Sequence, residues 1–229
     1  MNPFFNCKGT KLTGSLFRPL LTTSDRQLLR LFMEGLDTIA YWHRSGRFIP
    51  GILPIPTHTL ASNGYVDAMS ELILNSRLPV GLVAIGMSSI PGSENLDACK
   101  KGLLRLRRLG VLLHFLNYSG SIAELHWITE MQLEGVHIDM RTIREHDLAS
   151  NERSQLRQSP CSPTQLYASN IGLVTDLENA STLIADHAYG GLMMAPLSRH
   201  QMRQINDSRI TKAIFSMHPH QRLNHNGDK

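Results

Sequence analysis

The chain has 229 residues, of which 41% are hydrophobic and 18% charged, with a formal net charge of +4. These are the values of a water-soluble globular chain able to bury one sizeable core, and they exclude a disordered or low-complexity protein. No apolar run approaches the roughly 20 residues that a membrane helix needs, and MNPFFNCKGTKLTGS at the start lacks the apolar core and cleavage site of a signal peptide.

Residues 1–15 read as a loose N-terminus, followed by a short apolar piece, Leu16-Phe17-Arg18-Pro19-Leu20. Ser24 or Asp25 is placed to cap a helix reaching about Ser45. In it Leu28, Leu29, Phe32, Leu36, Ile39 and Trp42 form one stripe, and Gly46 supplies the stop. Gly51 to Thr59 (GILPIPTHT) reads as a strand. Its Pro54 and Pro56, two residues apart, lack their N–H on the same side, which suits a sheet edge. A helix from about Asn63 to Asn75 turns Tyr65, Val66, Met69, Leu72 and Ile73 inward, and a strand from Val80 to Met87 follows. Ser93 or Asn95 caps the next helix, buried along Leu96, Leu103, Leu106 and Leu109. Arg105, Arg107 and Arg108 at its end complement the helix macrodipole, a reading that outweighs a nucleic-acid patch.

Val111 to Ile143 forms the centre of the chain and reads as one βαβ unit. A buried strand (Val111 to Leu116) leads through a polar turn (Asn117 to Ser121) into a helix carrying Ile122, Leu125, Ile128 and Met131. The second strand ends in Val136-His137-Ile138-Asp139. Parallel strands need a helical crossover of this length, and ligand sites in such folds collect at the carboxyl ends of the strands. Leu116, Asn117, His137 and Asp139 are therefore expected on one rim. Ser150 to Pro163, polar and broken by prolines, reads as a loop. Gly172 to Asn179, a helix to about Ala188, Tyr189 to Leu197 and a closing helix to about Ile205 complete the pattern. A further helix is expected at Ile210 to Met217, before a polar, disordered tail.

The central unit resembles that of EAL domains, the bacterial cyclic-di-GMP phosphodiesterase family, whose text here is Leu-Asp-Asp-Phe-Gly-Thr-Gly, a helix, then Leu-Lys-Ile-Asp. The spacing matches without a gap, and Ile138-Asp139 stand at the family's Ile-Asp. The resemblance extends from Leu16 to Ile205 and implies an α/β fold, a TIM-like (β/α) barrel of the EAL type. The Glu-Ala-Leu segment reads as absent, so the barrel is expected to be incomplete or open through loss of an N-terminal strand. The domain then spans 16–205, with a C-terminal helix and polar tail over 206–229.

The same resemblance assigns the pocket. The family's metal-binding asparagine falls on Pro54, its first metal-binding glutamate on Ala84, its paired aspartates on Leu116 and Asn117, and its catalytic lysine on His137. Gly172 to Asn179 resembles Val-Val-Ala-Glu-Gly-Val-Glu-Thr, which puts Thr175 at the first, functional glutamate and Glu178 at the second. Tyr189 to Leu197 resembles Gln-Gly-Tyr-Leu-Phe-Ser-Arg-Pro-Leu, which puts Tyr189 at the glutamine. Two-metal phosphodiester hydrolysis needs a cluster of carboxylates to hold two ions ~3.5 to 4 Å apart. At these positions Asp139 and Glu178 are the acids, and each reads as a cap or hydrogen-bond acceptor. His137 reads as a packed polar residue rather than a base.

The expectation is therefore a catalytically inactive, cytoplasmic regulatory module without a cofactor, in bacterial signalling of the kind that governs biofilm, motility or gene expression. Its partner is another protein or a second copy, not a membrane, a nucleic acid or cyclic di-GMP. Phe17, Arg18, Pro54 and Pro56 mark the candidate surface. A non-hydrolysing cyclic-di-GMP receptor and a residual phosphodiesterase are the alternatives. Three cysteines, Cys7, Cys99 and Cys161, fit no disulfide framework or metal spacing, as expected of a reducing compartment.

Overall fold

A computed structural model describes residues 5–7, 10–12, 25–146, 165–193 and 196–204. Phe17, Arg18, the Ser150 to Pro163 segment, the expected helix at 210–217 and the tail lie outside them. Two short strands, β1 (Phe5–Cys7) and β2 (Thr10–Leu12), form an antiparallel hairpin inside the stretch expected to be loose.

Helix α1 (Asp25–Arg44) ends before Gly46, whose positive φ of 77° is the conformation a helix stop requires. Its stripe is buried as the spacing demands, with Leu28, Phe32, Leu36, Ile39 and Trp42 in the core and Leu29 packed at its edge. Strand β3 (Gly51–Pro54) follows, and the expected strand stops early because Thr57–Ala61 wind into a 3-10 turn. Thr59 closes that turn on the Pro56 carbonyl with both its N–H and its hydroxyl.

Helix α2 (Asn63–Ser76), strand β4 (Val83–Met87) and helix α3 (Leu96–Arg108) come next. Ser62 caps α2 through the Tyr65 N–H. The β4 strand begins three residues later than its apolar text, since Gly81 turns at φ 82° and leaves Val80 exposed. Two of the arginines of α3 are held by the protein. Arg105 pairs with Asp67, while Arg107 donates to the carbonyls of Met131 and Gln132 and pairs with Glu134. Cys99 on α3 is a free, buried thiol facing the Thr57 carbonyl.

The βαβ unit is strand β5 (Leu112–Tyr118), helix α4 (Ile122–Glu130) and strand β6 (Gly135–Asp139). Two details differ from the pattern reading. Strand β5 continues past Leu116 through a bulge, where the register slips between Phe115 and Tyr118 and Asn117 takes a left-handed φ of 57°. In α4 the buried residues are Trp127 and Ile128, whereas Ile122 is 81% exposed. Helix α5 (Met140–His146), strand β7 (Gln165–Ser169), helix α6 (Val174–Thr182), strand β8 (His187–Ala188) and helix α7 (Arg199–Gln204) complete the described order.

The six strands β3 to β8 form one parallel sheet in sequence order, curled into a half-barrel with helices outside. Gly51 and Ile55 donate their N–H groups to β4, so the even positions Pro54 and Pro56 face away from it. Among the described residues β3 has no strand on that far side. Proline has no N–H to offer a further ladder, and its place on this edge follows. At the other end of the helix layer α7 docks on α1, with the Trp42 indole donating to the Arg199 carbonyl at 3.1 Å and the Arg199 guanidinium over the Tyr41 ring.

Gly102 marks where α3 meets the 3-10 turn. A methyl group there would overlap the Leu60 carbonyl oxygen, a backbone atom with no rotamer to change. Gly102→Ala is therefore expected to destabilise the fold by about 1–3 kcal/mol, despite alanine's better helix propensity. Urea unfolding of the two proteins checks this.

Candidate functional site

In a parallel strand alternate side chains share a face, so β6 turns Gly135, His137 and Asp139 one way and Val136 and Ile138 the other. A Cβ on Gly135 would run into the His114 ring, and one on Gly86 into the Leu116 side chain. His114 and Leu116 of β5 thus lie on the same face as His137 and Asp139. The register continues the layer outward, with His137 beside Tyr167, Tyr167 beside His187, and Asp139 beside Ser169.

These side chains form a connected stack. His114 Nδ1 lies 2.9 Å from His137 Nε2, and His137 Nδ1 lies 2.8 Å from the Tyr189 hydroxyl. The Tyr167 ring stacks on His137 at 4.3 Å with an 11° tilt, and on its other side His187 stacks at 4.6 Å. The Ser169 hydroxyl, close to the Tyr189 phenol, donates to the Ile138 carbonyl at 3.0 Å. The proton positions along the stack are coupled. Either His114 Nδ1–H donates to His137 Nε2 and His137 Nδ1–H to the Tyr189 oxygen, or Tyr189 O–H donates to His137 Nδ1 and His137 Nε2–H to His114 Nδ1.

Burial sets the charge of the stack. His114 and His137 are 2% and 1% exposed. Burial, with His187 adding, pushes His114 down to about 4. Burial, then the neighbouring His114, holds His137 well below the ordinary imidazole range. Burial pushes the Tyr189 and Tyr167 phenols up. At neutral pH all four groups are uncharged.

Among the described residues Asp139 is the carboxylate at the strand ends of this face, and it is fully engaged. Burial acts to raise its pKa, but hydrogen bonds from Arg141 and Asn170 outweigh this and hold it below its usual value. The Arg141 guanidinium bonds both oxygens, the Arg141 N–H donates to Oδ1 at 2.9 Å, and the Asn170 amide donates to Oδ2 at 2.8 Å.

The other positions assigned from sequence separate into two groups. Ala84, Leu116, His137, Asp139 and Tyr189 come together around the concave face, and Pro54 ends the edge strand. Asn117 sits in the bulge with a left-handed φ and is exposed. Thr175 and Glu178 are not on a strand at all. They are exposed on α6, because the strand at this point of the chain is Gln165–Ser169, and it is Ser169 that holds the strand-end position. Glu178 does not brace the preceding turn. Asp176 does, fully buried, with Oδ2 accepting from the N–H groups of Gly172 and Leu173 at 2.8 and 2.9 Å.

His114, Tyr167, Ser169 and His187 escaped the sequence reading. His114 sits inside an apolar run and Tyr167 in a segment without a motif, so only the register links them to His137. Among the described residues no three His, Cys, Asp or Glu side chains are grouped to hold a metal ion, and no helix is long and apolar enough to cross a membrane.

No family model and no curated protein matches the chain. Solved structures do, by shape. The EAL domain of Mycobacterium smegmatis DcpA superposes with a TM-score of 0.68 at 14% identity, over 82% of this chain and 85% of that one. The PaMucR phosphodiesterase in complex with c-di-GMP superposes at 0.70 and 16%, over 87% and 84%. An EAL domain protein from Listeria monocytogenes EGD-e gives 0.67 and 18%, over 88% and 82%. The fold is that of an EAL domain.

Proposed function

We propose that this EAL-type domain does not hydrolyse cyclic di-GMP and instead regulates by contact with another protein. The observation that carries the reading is the state of its strand ends. The acid found there among the described residues, Asp139, has its oxygens taken by Arg141 and Asn170, and the imidazoles beside it are bonded to each other and, through His137, to Tyr189. Hard divalent cations take oxygen ligands, and a pair of them needs several carboxylates at once. This donor set does not suit them. The position that the Lys-Ile-Asp text gives to a catalytic lysine holds a neutral, buried imidazole.

The partner surface in this reading is the flank of α1 beside the β3 edge, where Pro54 is half-buried, while Pro56, expected on that surface, is buried and does not take part. Its prolines disfavour the addition of a further strand, so the partner is held by side-chain packing. The residues at 17–18 adjoin this flank in sequence order.

Incubation of the purified protein with cyclic di-GMP and Mg²⁺ or Mn²⁺ is expected to give no turnover above a metal-free blank. Asn117→Asp is expected not to restore it, since one added acid does not make a two-metal site. Turnover above the blank would overturn the reading. Calorimetry with cyclic di-GMP is the second arm. Saturable binding without turnover would make the domain a nucleotide receptor instead.

A further inference from the structure

The hydrogen-bonded side chains of the concave face join four consecutive strands that otherwise meet only pairwise. His114 comes from β5, His137 from β6, Ser169 from β7, and Tyr189 directly follows β8. We propose that this chain of bonds is an acid-released clasp, in which proton uptake by the two imidazoles unfastens β7 and β8 from β5 and β6 and opens the half-barrel at that end. The inference stands whether or not the domain binds a partner protein.

The geometry makes the response abrupt rather than gradual. Each imidazole bond needs one ring nitrogen to donate and the other to accept. One added proton can be shared between the rings, because the neutral partner can turn an acceptor nitrogen to it, but with both rings protonated the two facing nitrogens, 2.9 Å apart, are both donors and the bond is lost. That state also places two positive charges across this distance in a dry interior. Among the described residues nothing hydrogen-bonded to either ring offsets them. From β4 the layer receives Ala84 and Gly86, and from β5 the apolar Leu116. From β7 and β8 come Tyr167 and Tyr189, neutral phenols, with His187 exposed on the far side of Tyr167. Asp186 acts on Tyr167 and gives its Oδ2 to the Leu166 N–H, and Asp139 is committed to Arg141. Neither ring is hydrogen-bonded to a carboxylate.

The release has a direction in pH and a place in the fold. A histidine whose folded pKa is lowered contributes stability that is complete above its unfolded pKa and is lost as pH falls toward the folded value. For His114 that window runs from 6.5 down to about 4. The part that yields first is set by β8, two residues long and without a strand on its outer side among the described residues. Local opening begins where few bonds must break.

The test follows the ¹⁵N signals of the imidazole rings and amide hydrogen exchange of the same wild-type protein from pH 7.5 downward. Neither buried ring is expected to take up a proton near pH 6.5, and as pH falls toward about 4 the amides of 165–193 are expected to lose protection in one step with protonation of His114, before those of β4 and β5. His137→Gln, or His114→Gln if the first does not fold, is expected to move that step down by about half a pH unit or more. His126→Gln, on the surface of α4, is expected to leave it in place. Titration of either ring near its ordinary value with the β7 and β8 amides still protected would overturn the proposal. So would an unmoved step in the glutamine variants, and if neither folds, the wild-type titration decides alone.

Discussion

Leu113→Ala is expected to lower the unfolding free energy by about 3–5 kcal/mol, in the upper part of the range for truncating a large buried aliphatic side chain. Leu113 is fully buried and is the second residue of β5, which has a hydrogen-bonded strand on each side. Its own peptide is held twice, since its N–H donates to Glu134 and its carbonyl accepts from the Glu134 N–H. A backbone so fixed cannot move inward to fill the cavity, and unfilled cavities are the costly ones. Ile138→Ala on β6 is expected to cost about 2–4 kcal/mol for the same reason. Denaturant titration measures both, and a loss under about 1 kcal/mol for Leu113 would show that the central unit is not the core.

His137→Ala is the second large effect. From sequence alone the substitution reads as clearly milder than Leu113→Ala, because an isolated polar residue at a strand end has little to lose. The structure raises the expectation to about 2–4 kcal/mol at neutral pH. Truncation leaves His114 Nδ1 and the Tyr189 hydroxyl without their mutual partner, and it removes the ring on which Tyr167 stacks. A buried polar group stripped of its partner costs about 1–3 kcal/mol, and an aromatic pair about 0.5–1.5 kcal/mol. A double-mutant cycle with Tyr189→Phe isolates the bond itself. A coupling of about 1 kcal/mol or more is expected, and strict additivity would mean that the two side chains do not interact.

The helices and the central strands were legible because their signals are local. A stripe at 3.6-residue spacing placed α1, and the burial of Phe32, Leu36 and Ile39 follows from it. The text from Val111 to Asp139 placed two parallel strands and their crossover, which set the fold class. Pro54 and Pro56 placed an edge, and the N–H directions of Gly51 and Ile55 put that edge on β3. The resemblance to EAL domains rested on the same segment, and superposition on solved EAL structures agrees at the level of fold.

Motif matching failed where the anchor was weak. Gly172 to Asn179 was aligned by its acids, but Asp176 spends its carboxylate on the turn before α6, and the strand lies upstream in Gln165–Ser169. Helix start and strand end both favour short polar residues, so spacing alone does not separate them.

By itself the sequence determined that strands and helices alternate and which residues face the core. Tertiary structure decided which side chains meet on the concave face. His114, His137, Tyr167, Ser169, His187 and Tyr189 lie up to 75 positions apart, and they meet because parallel pairing sets His137 beside Tyr167 and Tyr167 beside His187. Side-chain periodicity reports which face a residue takes within one strand. Only the register between strands decides which residues share a layer, and that register is fixed by hydrogen bonds between segments far apart in the chain.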